Sequence, residues 1–172
     1  AISTEGITNI SLCDVELAQT LGYSIKLIGH AEERDGKLLA FVSPMAVSES
    51  NPLARIDGVF NGILVSADMV GEVMFYGRGA GKLPTASAVV ADVIDCVKHV
   101  KARKYLYWAN TEEDYVVNHL DTETELFIRI KTDNYDGDCE KISEQFGEVR
   151  FLSDVGDEIA FITKEGVERD LL

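Results

Sequence analysis

The residues whose types and spacing are best suited to chemistry are Gly77, Gly79 and Gly81, which alternate directly before an apolar helical pattern. Glycine lets a backbone turn tightly and approach a ligand closely, and free N–H groups at a helix start attract negative charge. A phosphate or an amide-bearing cofactor could rest there. The stretch matches neither the GxGxxG fingerprint nor a P-loop, which has Ser or Thr at the position of Leu83. A plain strand-to-helix connection therefore stays open as the alternative.

The histidines and cysteines form no site by their spacing. They are His30, His99 and His119, and Cys13, Cys96 and Cys139. A histidine without a Cys, Asp or second His at a defined spacing is more often a surface or packed residue than a ligand. Three separated cysteines without a CxxC pair predict reduced thiols that pack as small hydrophobic residues. We expect no metal site.

The composition excludes several classes of partner. The 172 residues carry 16 Lys+Arg and 30 Asp+Glu, a formal net charge of −14, and 46% of them are apolar. Such an acidic surface repels phosphate backbones and anionic membranes, so we expect no nucleic acid and no membrane partner. Apolar runs fall far short of the roughly 20 residues that span a bilayer, and no basic segment with an apolar core opens the chain. We expect a cytoplasmic globular protein.

The charge is unevenly distributed along the chain. Residues 1–104 carry ten basic and twelve acidic side chains, whereas residues 105–172 carry six and eighteen. A polar, acidic stretch follows the basic patch at 101–104. These features predict two domains, 1–104 and 125–172, joined by a linker at 105–124.

The glycines are positioned by elements that the first half predicts. These are a helix over 12–21, strands over 23–31 and 38–47, a loop over 48–57, strands over 59–66 and 71–76, and a helix over 84–101. Ser11 and Asp14 favour a capped helix start, and Asp35-Gly36 is typical of a hairpin turn. Pro84 suits a first helical turn because its missing N–H needs no partner there.

The second half predicts a strand, a helix and two more strands. Residues 126–131 alternate in polarity as a half-buried strand does, a loop covers 132–137, and Cys139, Ile142 and Phe146 fall on one helical face. Strands are expected at 149–152 and 158–163, and a further helix from Val167. The predicted fold class is mixed α/β (α+β), with a mixed sheet and helices in the first half.

The run MFYGRGAGKLPTASAVV at 74–90 resembles homoserine dehydrogenase. The similarity continues in family order through Glu5-Gly6-Ile7-Thr8, Gly22-Tyr23 with Ile25-Lys26-Leu27-Ile28, Asn51-Pro52-Leu53-Ala54 and Gly58-Val59-Phe60-Asn61-Gly62. From about residue 125 the chain resembles an ACT domain, an amino-acid-sensing module of ferredoxin-like fold. The resemblance implies the end of a catalytic and dimerisation domain, over 1–104, followed by an incomplete ACT domain.

The resemblance implies an NAD(P)-dependent oxidoreductase that interconverts homoserine and aspartate semialdehyde, on the route to threonine, methionine and isoleucine. In the family a Rossmann domain holds the dinucleotide, and the catalytic Lys and the substrate-binding Glu and Asp lie upstream of the segment matched here. We therefore expect an internal fragment of a longer enzyme that forms a homodimer or a higher homo-oligomer, with no catalytic residue in this chain and no activity alone. The alternative from another class is a non-catalytic, amino-acid-binding regulatory or dimerisation protein.

The resemblance also implies two binding sites. Gly81 corresponds to the second glycine of the family's Gly-Ala-Gly, which contacts the nicotinamide cofactor, and Gly79, Ala80 and Thr85 flank it. The ACT resemblance implies an effector, expected to be threonine, at the loop formed by Asn134, Tyr135, Asp136 and Gly137.

Overall fold

The computed structural model describes residues 2–102, 107, 114–152, 156–164 and 166–168. Its helices are α1 (Leu12–Thr20), α2 (Lys82–Lys98) and α3 (Tyr135–Phe146), with 3₁₀ turns at Pro52–Arg55 and His119–Asp121. Its strands are β1 (Ser3–Thr4), β2 (Tyr23–Arg34), β3 (Lys37–Ser48), β4 (Phe60–Ala67), β5 (Gly71–Arg78), β6 (Val116–Val117), β7 (Glu123–Thr124), β8 (Phe127–Lys131), β9 (Val149–Leu152), β10 (Glu158–Thr163) and β11 (Val167–Glu168). The predicted mixed α/β class is confirmed.

The chain folds as two compact units. The first unit combines residues 1–46 with 114–172, and the second is 47–113. The first three strands, apart from the last two residues of β3, and α1 therefore belong with the carboxyl-terminal segment rather than with β4, β5 and α2. The division of the sequence into domains 1–104 and 125–172 stays a prediction about the chain's modules, and much of its linker, 105–124, lies outside the described residues.

The first unit contains a sheet in the order β1-β3-β2, with β6 also paired to β3. The predicted hairpin of β2 and β3 is confirmed. Its turn places Asp35 at φ 52° and Gly36 at φ 75°, and a two-residue turn of type I′ requires positive φ at both positions. β1 and β6 both run parallel to β3. Ser3 of β1 lies opposite Phe41, and Val116 of β6 lies opposite Leu38.

A second sheet of the first unit has the order β8-β10-β9, with both pairings antiparallel. A ferredoxin-like β-α-β-β unit arranges its three strands in this order, with the third strand in the middle. Alternate residues of β10 point to opposite faces. Ile159 and Phe161 pack with Ile142 of α3, and Ala160 packs with Leu17 of α1. The sheet is therefore covered by α3 on one face and by α1, from the other end of the chain, on the opposite face.

The helix predicted to begin at Val167 is wrong. Val167 and Glu168 form β11, which pairs antiparallel with Thr124 and Glu123 of β7. Val167 is buried. A β-branched residue that gains a strand partner and burial favours the strand, and this partner, 43 positions earlier by residue number, is invisible to a local pattern.

The second unit is the hairpin of β4 and β5 followed by α2. The register runs from Phe60 opposite Arg78 to Ala67 opposite Gly71, as the predicted second hairpin requires. Helix α2 begins at Lys82, two residues before the predicted start, so Pro84 lies inside its first turn. None of its residues is buried in this structure. Cys96 on α2 is consequently exposed, contrary to the prediction of burial, whereas Cys13 and Cys139 pack against the two cores.

Candidate functional site

The candidate cofactor loop comprises Gly79, Ala80 and Gly81, the three residues between the end of β5 and the start of α2. Gly81 is the N-cap of α2 and has φ 117°, a conformation that side chains with a Cβ rarely adopt. Thr85 donates its backbone N–H to the Gly81 carbonyl oxygen at 3.2 Å, the first hydrogen bond of the helix. The structure thus brings all four residues of the predicted cofactor site into one exposed turn.

Gly79 passes close to Asn61 of β4. Its N–H donates to the Val59 carbonyl oxygen at 3.3 Å. A Cβ on Gly79 would lie 2.2 Å from Asn61 Nδ2 and 2.7 Å from Asn61 Cγ, which is far inside van der Waals contact. The exposed Asn61 side chain therefore occupies the space beside Gly79, and it would have to turn away from a larger residue there.

The start of α2 suits an anionic or amide-bearing group. No side chain of the described residues caps α2, so the first N–H groups of the helix lack an intrahelical or side-chain acceptor. Arg78 and Lys82 flank the loop, and the Arg78 guanidinium lies 5.2 Å from the centre of the Phe60 ring, which stacks on Tyr76 at 4.9 Å. Free donors, the positive helix end and two cations fit a dinucleotide cofactor at this turn.

The predicted effector residues form the N-cap, Asn134, and the first turn, residues 135–137, of helix α3. The loop predicted over 132–137 is therefore shorter than expected and ends at Asn134, because the Asn134 side chain caps a helix that starts at Tyr135. The Asn134 side chain accepts a hydrogen bond from the Gly137 N–H at 3.4 Å, and the Asn134 N–H donates to Thr132 Oγ1 at 3.0 Å. Thr132 Oγ1 donates in turn to Asp138 Oδ2 at 2.7 Å. Asp136 lies in the first turn of α3, where its charge complements the helix dipole. The structure brings the four predicted residues together, and a bound effector there stays a prediction.

The ionisable groups beside this loop are perturbed in opposite directions. Hydrogen bonds from Lys141 and Thr132 lower the pKa of the Asp138 carboxyl, so it stays ionised. Desolvation raises the pKa of the Cys139 thiol and of the Tyr135 hydroxyl. A protonated thiol is a poor nucleophile, so Cys139 fits a packing role.

Arg129, Asp14, Glu158 and Ser11 form a charged cluster that connects α1 to the β8-β10-β9 sheet and that the sequence did not predict. Arg129 on β8 lies 3.2 Å from Asp14 Oδ1 and 3.0 Å from Glu158 Oε2, and it donates to Ser11 Oγ at 3.1 Å. Ser11 and Asp14 form the predicted capping box of α1. The capping signal was visible in the sequence, but its partner Arg129 is 118 positions away from Ser11.

Two features concern only the part of the chain that the structure describes. No three His, Cys, Asp or Glu side chains come together there as ligands for a metal ion. No helix there is long and apolar enough to cross a membrane.

Comparisons with known proteins single out one family. The family model for homoserine dehydrogenase matches residues 1–94. The homoserine dehydrogenase of Neisseria gonorrhoeae is 49% identical over 98 residues, covering 57% of this chain and 22% of the relative. That of Bacillus subtilis is 32% identical over 149 residues, covering 86% of this chain and 34% of the relative. This chain thus spans 22% and 34% of the length of these two curated relatives.

Solved structures agree with these relatives. The homoserine dehydrogenase of Thiobacillus denitrificans has a TM-score of 0.78 and 26% identity, over 98% of this chain and 42% of that one. The enzyme of S. aureus at pH 6.0 has a TM-score of 0.67 and 28% identity, over 95% of this chain and 41% of that one. The similarity therefore includes the β-α-β-β segment as well as the glycine loop.

Proposed function

We propose, from the premise that this chain belongs to the homoserine dehydrogenase family, that it serves the NAD(P)-dependent interconversion of L-homoserine and L-aspartate 4-semialdehyde. This oxidoreductase reaction supplies the biosynthesis of threonine, methionine and isoleucine. The observation that carries the proposal is the glycine loop, which lies inside the matched residues 1–94 and in which Gly81 has φ 117°, a conformation that favours glycine.

In this proposal the loop holds the cofactor. The Gly81 backbone contacts the nicotinamide cofactor, which accepts or delivers the hydride when bound, and Gly79, Ala80 and Thr85 shape the turn around it. The positive φ of Gly81 turns the chain directly into α2, so the uncapped N–H groups of the helix lie next to the cofactor. Arg78 and Lys82, which flank the turn, favour an anionic ligand.

The catalytic Lys and the dinucleotide-binding domain of the family correspond to no residue of this chain. We therefore propose that the 172 residues alone do not turn over homoserine, and that the activity belongs to the protein expressed from the complete gene. We further propose that this protein is a cytoplasmic homodimer. These statements rest on the family relationship and on the share of the relatives that the chain spans.

The β8-α3-β9-β10 segment is proposed to be an amino-acid-sensing ACT module. Its support is the strand order β8-β10-β9 with α3 packed on one face. The N-cap and first turn of α3, residues 134–137, are the proposed contact for threonine. Through this contact the pathway's product would inhibit the enzyme. Asn134 and Gly137 already bond to each other, so threonine would meet an ordered turn.

The test is a comparison of two purified proteins, the product of the complete gene and the 172-residue chain. Homoserine-dependent reduction of NAD or NADP is expected for the first and absent for the second. Turnover by the short chain would contradict the proposed division of labour. A complete product that binds threonine by calorimetry but reduces neither cofactor would instead be a non-catalytic regulator, and the proposal would be wrong.

A further inference from the structure

Of the three alternating glycines Gly77, Gly79 and Gly81, the proposed cofactor turn uses only the last two. Gly77 lies on β5 opposite Asn61 of β4 in the antiparallel register. Its φ is not positive, and a Cβ there would meet no atom within 4 Å, so neither backbone conformation nor packing of the described residues requires glycine at 77. Gly77 therefore leaves bare backbone on the face of the hairpin that carries the Asn61 side chain.

The Asn61 side chain borders both Gly77 and the cofactor loop. It occupies the strand position opposite Gly77, and its Cγ is 2.7 Å from where a Cβ of Gly79 would be. Asn61 is exposed, and its amide forms no hydrogen bond within the part of the chain that the structure describes. The amide therefore offers a donor and an acceptor in one plane to a group outside these residues.

The two faces of the hairpin differ in charge beside the loop. Phe60 and Asn61 are neighbours in β4 and point to opposite faces. The Arg78 guanidinium lies over the Phe60 ring and is therefore on the face opposite to Asn61. The phosphates of a dinucleotide are attracted to the cation, whereas a neutral carboxamide matches both the donor and the acceptor of an amide. The face of Asn61 therefore suits the neutral nicotinamide end of the cofactor.

We propose that Asn61 recognises the carboxamide of the nicotinamide ring and that the ring lies on the bare backbone at Gly77. The Asn61 amide donates to the carboxamide oxygen and accepts from the carboxamide amino group. The contact rests on the proposed function, because it adds a specificity-determining residue to the same cofactor site. It also accounts for glycine at 77, where a side chain would cover the surface that the ring occupies.

The experiment measures the affinity of two oxidised dinucleotides for the protein from the complete gene. One is NAD or NADP, whichever the unmodified protein binds, and the other is its acetylpyridine analogue, in which a methyl group replaces the carboxamide amino group. The analogue keeps the oxygen that accepts from Asn61 but loses the donor. Calorimetry is expected to give the unmodified protein an affinity about fivefold higher for the carboxamide form, which corresponds to one neutral hydrogen bond.

Two variants of Asn61 separate recognition from packing. Asn61→Ala removes both bonds, so the carboxamide form should lose more affinity than the analogue and the difference between them should disappear. Asn61→Asp keeps an acceptor of the same size and should preserve the difference while weakening both ligands. Equal losses for the two ligands in Asn61→Ala would overturn the assignment, because they would indicate a contact with the shared phosphates or a structural effect.

A steric probe tests where the ring lies. Gly77→Val extends into open space, so the protein should remain folded in thermal melting, but the affinity for both ligands should fall at least about tenfold. Ser66→Val places the same side chain at an exposed position near the other end of β4 and should leave both affinities unchanged. Equal affinities of Gly77→Val and Ser66→Val would overturn the placement of the ring.

The same measurements separate this contact from the proposed function. An unmodified protein that binds neither NAD nor NADP would refute both. An unmodified protein that binds one of them, with the same preference over the analogue before and after Asn61→Ala, would refute only the contact with Asn61.

Discussion

Replacing Arg129 with alanine is expected to loosen helix α1 from the sheet that it covers. In the native structure the guanidinium lies 3.2 Å from the Asp14 carboxylate and 3.0 Å from the Glu158 carboxylate, and it donates a hydrogen bond to Ser11 Oγ at 3.1 Å. Its Nη1, which faces Asp14, is buried without a hydrogen-bond partner. The side chains of Arg129 and Glu158 are each 20% exposed and that of Asp14 is 12% exposed. The substitution leaves two largely buried carboxylates near each other without their shared cation.

The magnitude follows from this burial. Removing one partner of a fully buried ion pair destabilises a protein by about 3–5 kcal/mol, because the remaining charge stays buried. An exposed pair contributes about 0–1 kcal/mol. Arg129 lies closer to the buried limit but keeps a fifth of its surface in water, so we expect a loss of about 2–3 kcal/mol in the free energy of unfolding.

Chemical denaturation measures the loss, and hydrogen exchange locates it. Arg150→Ala, at an exposed position on β9, is the matched control and should change stability by less than about 0.5 kcal/mol. Exchange in residues 12–20 should accelerate in Arg129→Ala and not in the control. Arg129→Lys keeps the charge without the planar fork and should lie between the two. Equal stability of Arg129→Ala and Arg150→Ala would refute the reasoning.

Three other substitutions probe single contacts. Ser11→Ala removes the capping hydroxyl of α1 and should lower the free energy of unfolding by about 1 kcal/mol in chemical denaturation; a neutral result would contradict the capping box. Gly79→Ala brings a Cβ against the end of the exposed Asn61 side chain, which can turn away, and should lower stability by no more than about 0.5 kcal/mol; a larger loss that Asn61→Ala restores would contradict this expectation. The pKa of Asp138 should fall below 3.8 in an NMR titration, and Lys141→Met should raise it; its stabilising contribution is complete above pH 3.8 and is lost as the pH falls through the lowered pKa.

Local chemistry explains which parts of the fold the sequence predicts. The hairpin turn at Asp35-Gly36 and the capping box at Ser11 and Asp14 are set by residues within four positions of one another, and both are confirmed. The strand at Val167 was missed because its partner, β7, is distant in sequence. The placement of α1 on the β8-β10-β9 sheet depends on Arg129 and on apolar packing, which no local pattern reveals.

The candidate site shows the same division. The density of glycines before a helical pattern indicates the loop from the sequence alone. The resemblance of 74–90 to homoserine dehydrogenase implies that its ligand is a nicotinamide cofactor. The close approach of Gly79 to the Asn61 side chain is visible only in the structure.

Cofactor affinity after Gly81→Val in the protein from the complete gene tests most directly whether the glycine loop contacts the dinucleotide. The control is Gly71→Val, which also places valine at a positive φ, 73° rather than 117°, but at the far end of the β4–β5 hairpin. Both variants should lose similar thermal stability. If Gly81 contacts the cofactor, the dissociation constant for NADH or NADPH, whichever the unmodified protein binds, should rise at least about tenfold in Gly81→Val and stay unchanged in Gly71→Val. An unchanged affinity in a folded Gly81→Val protein would contradict this contact.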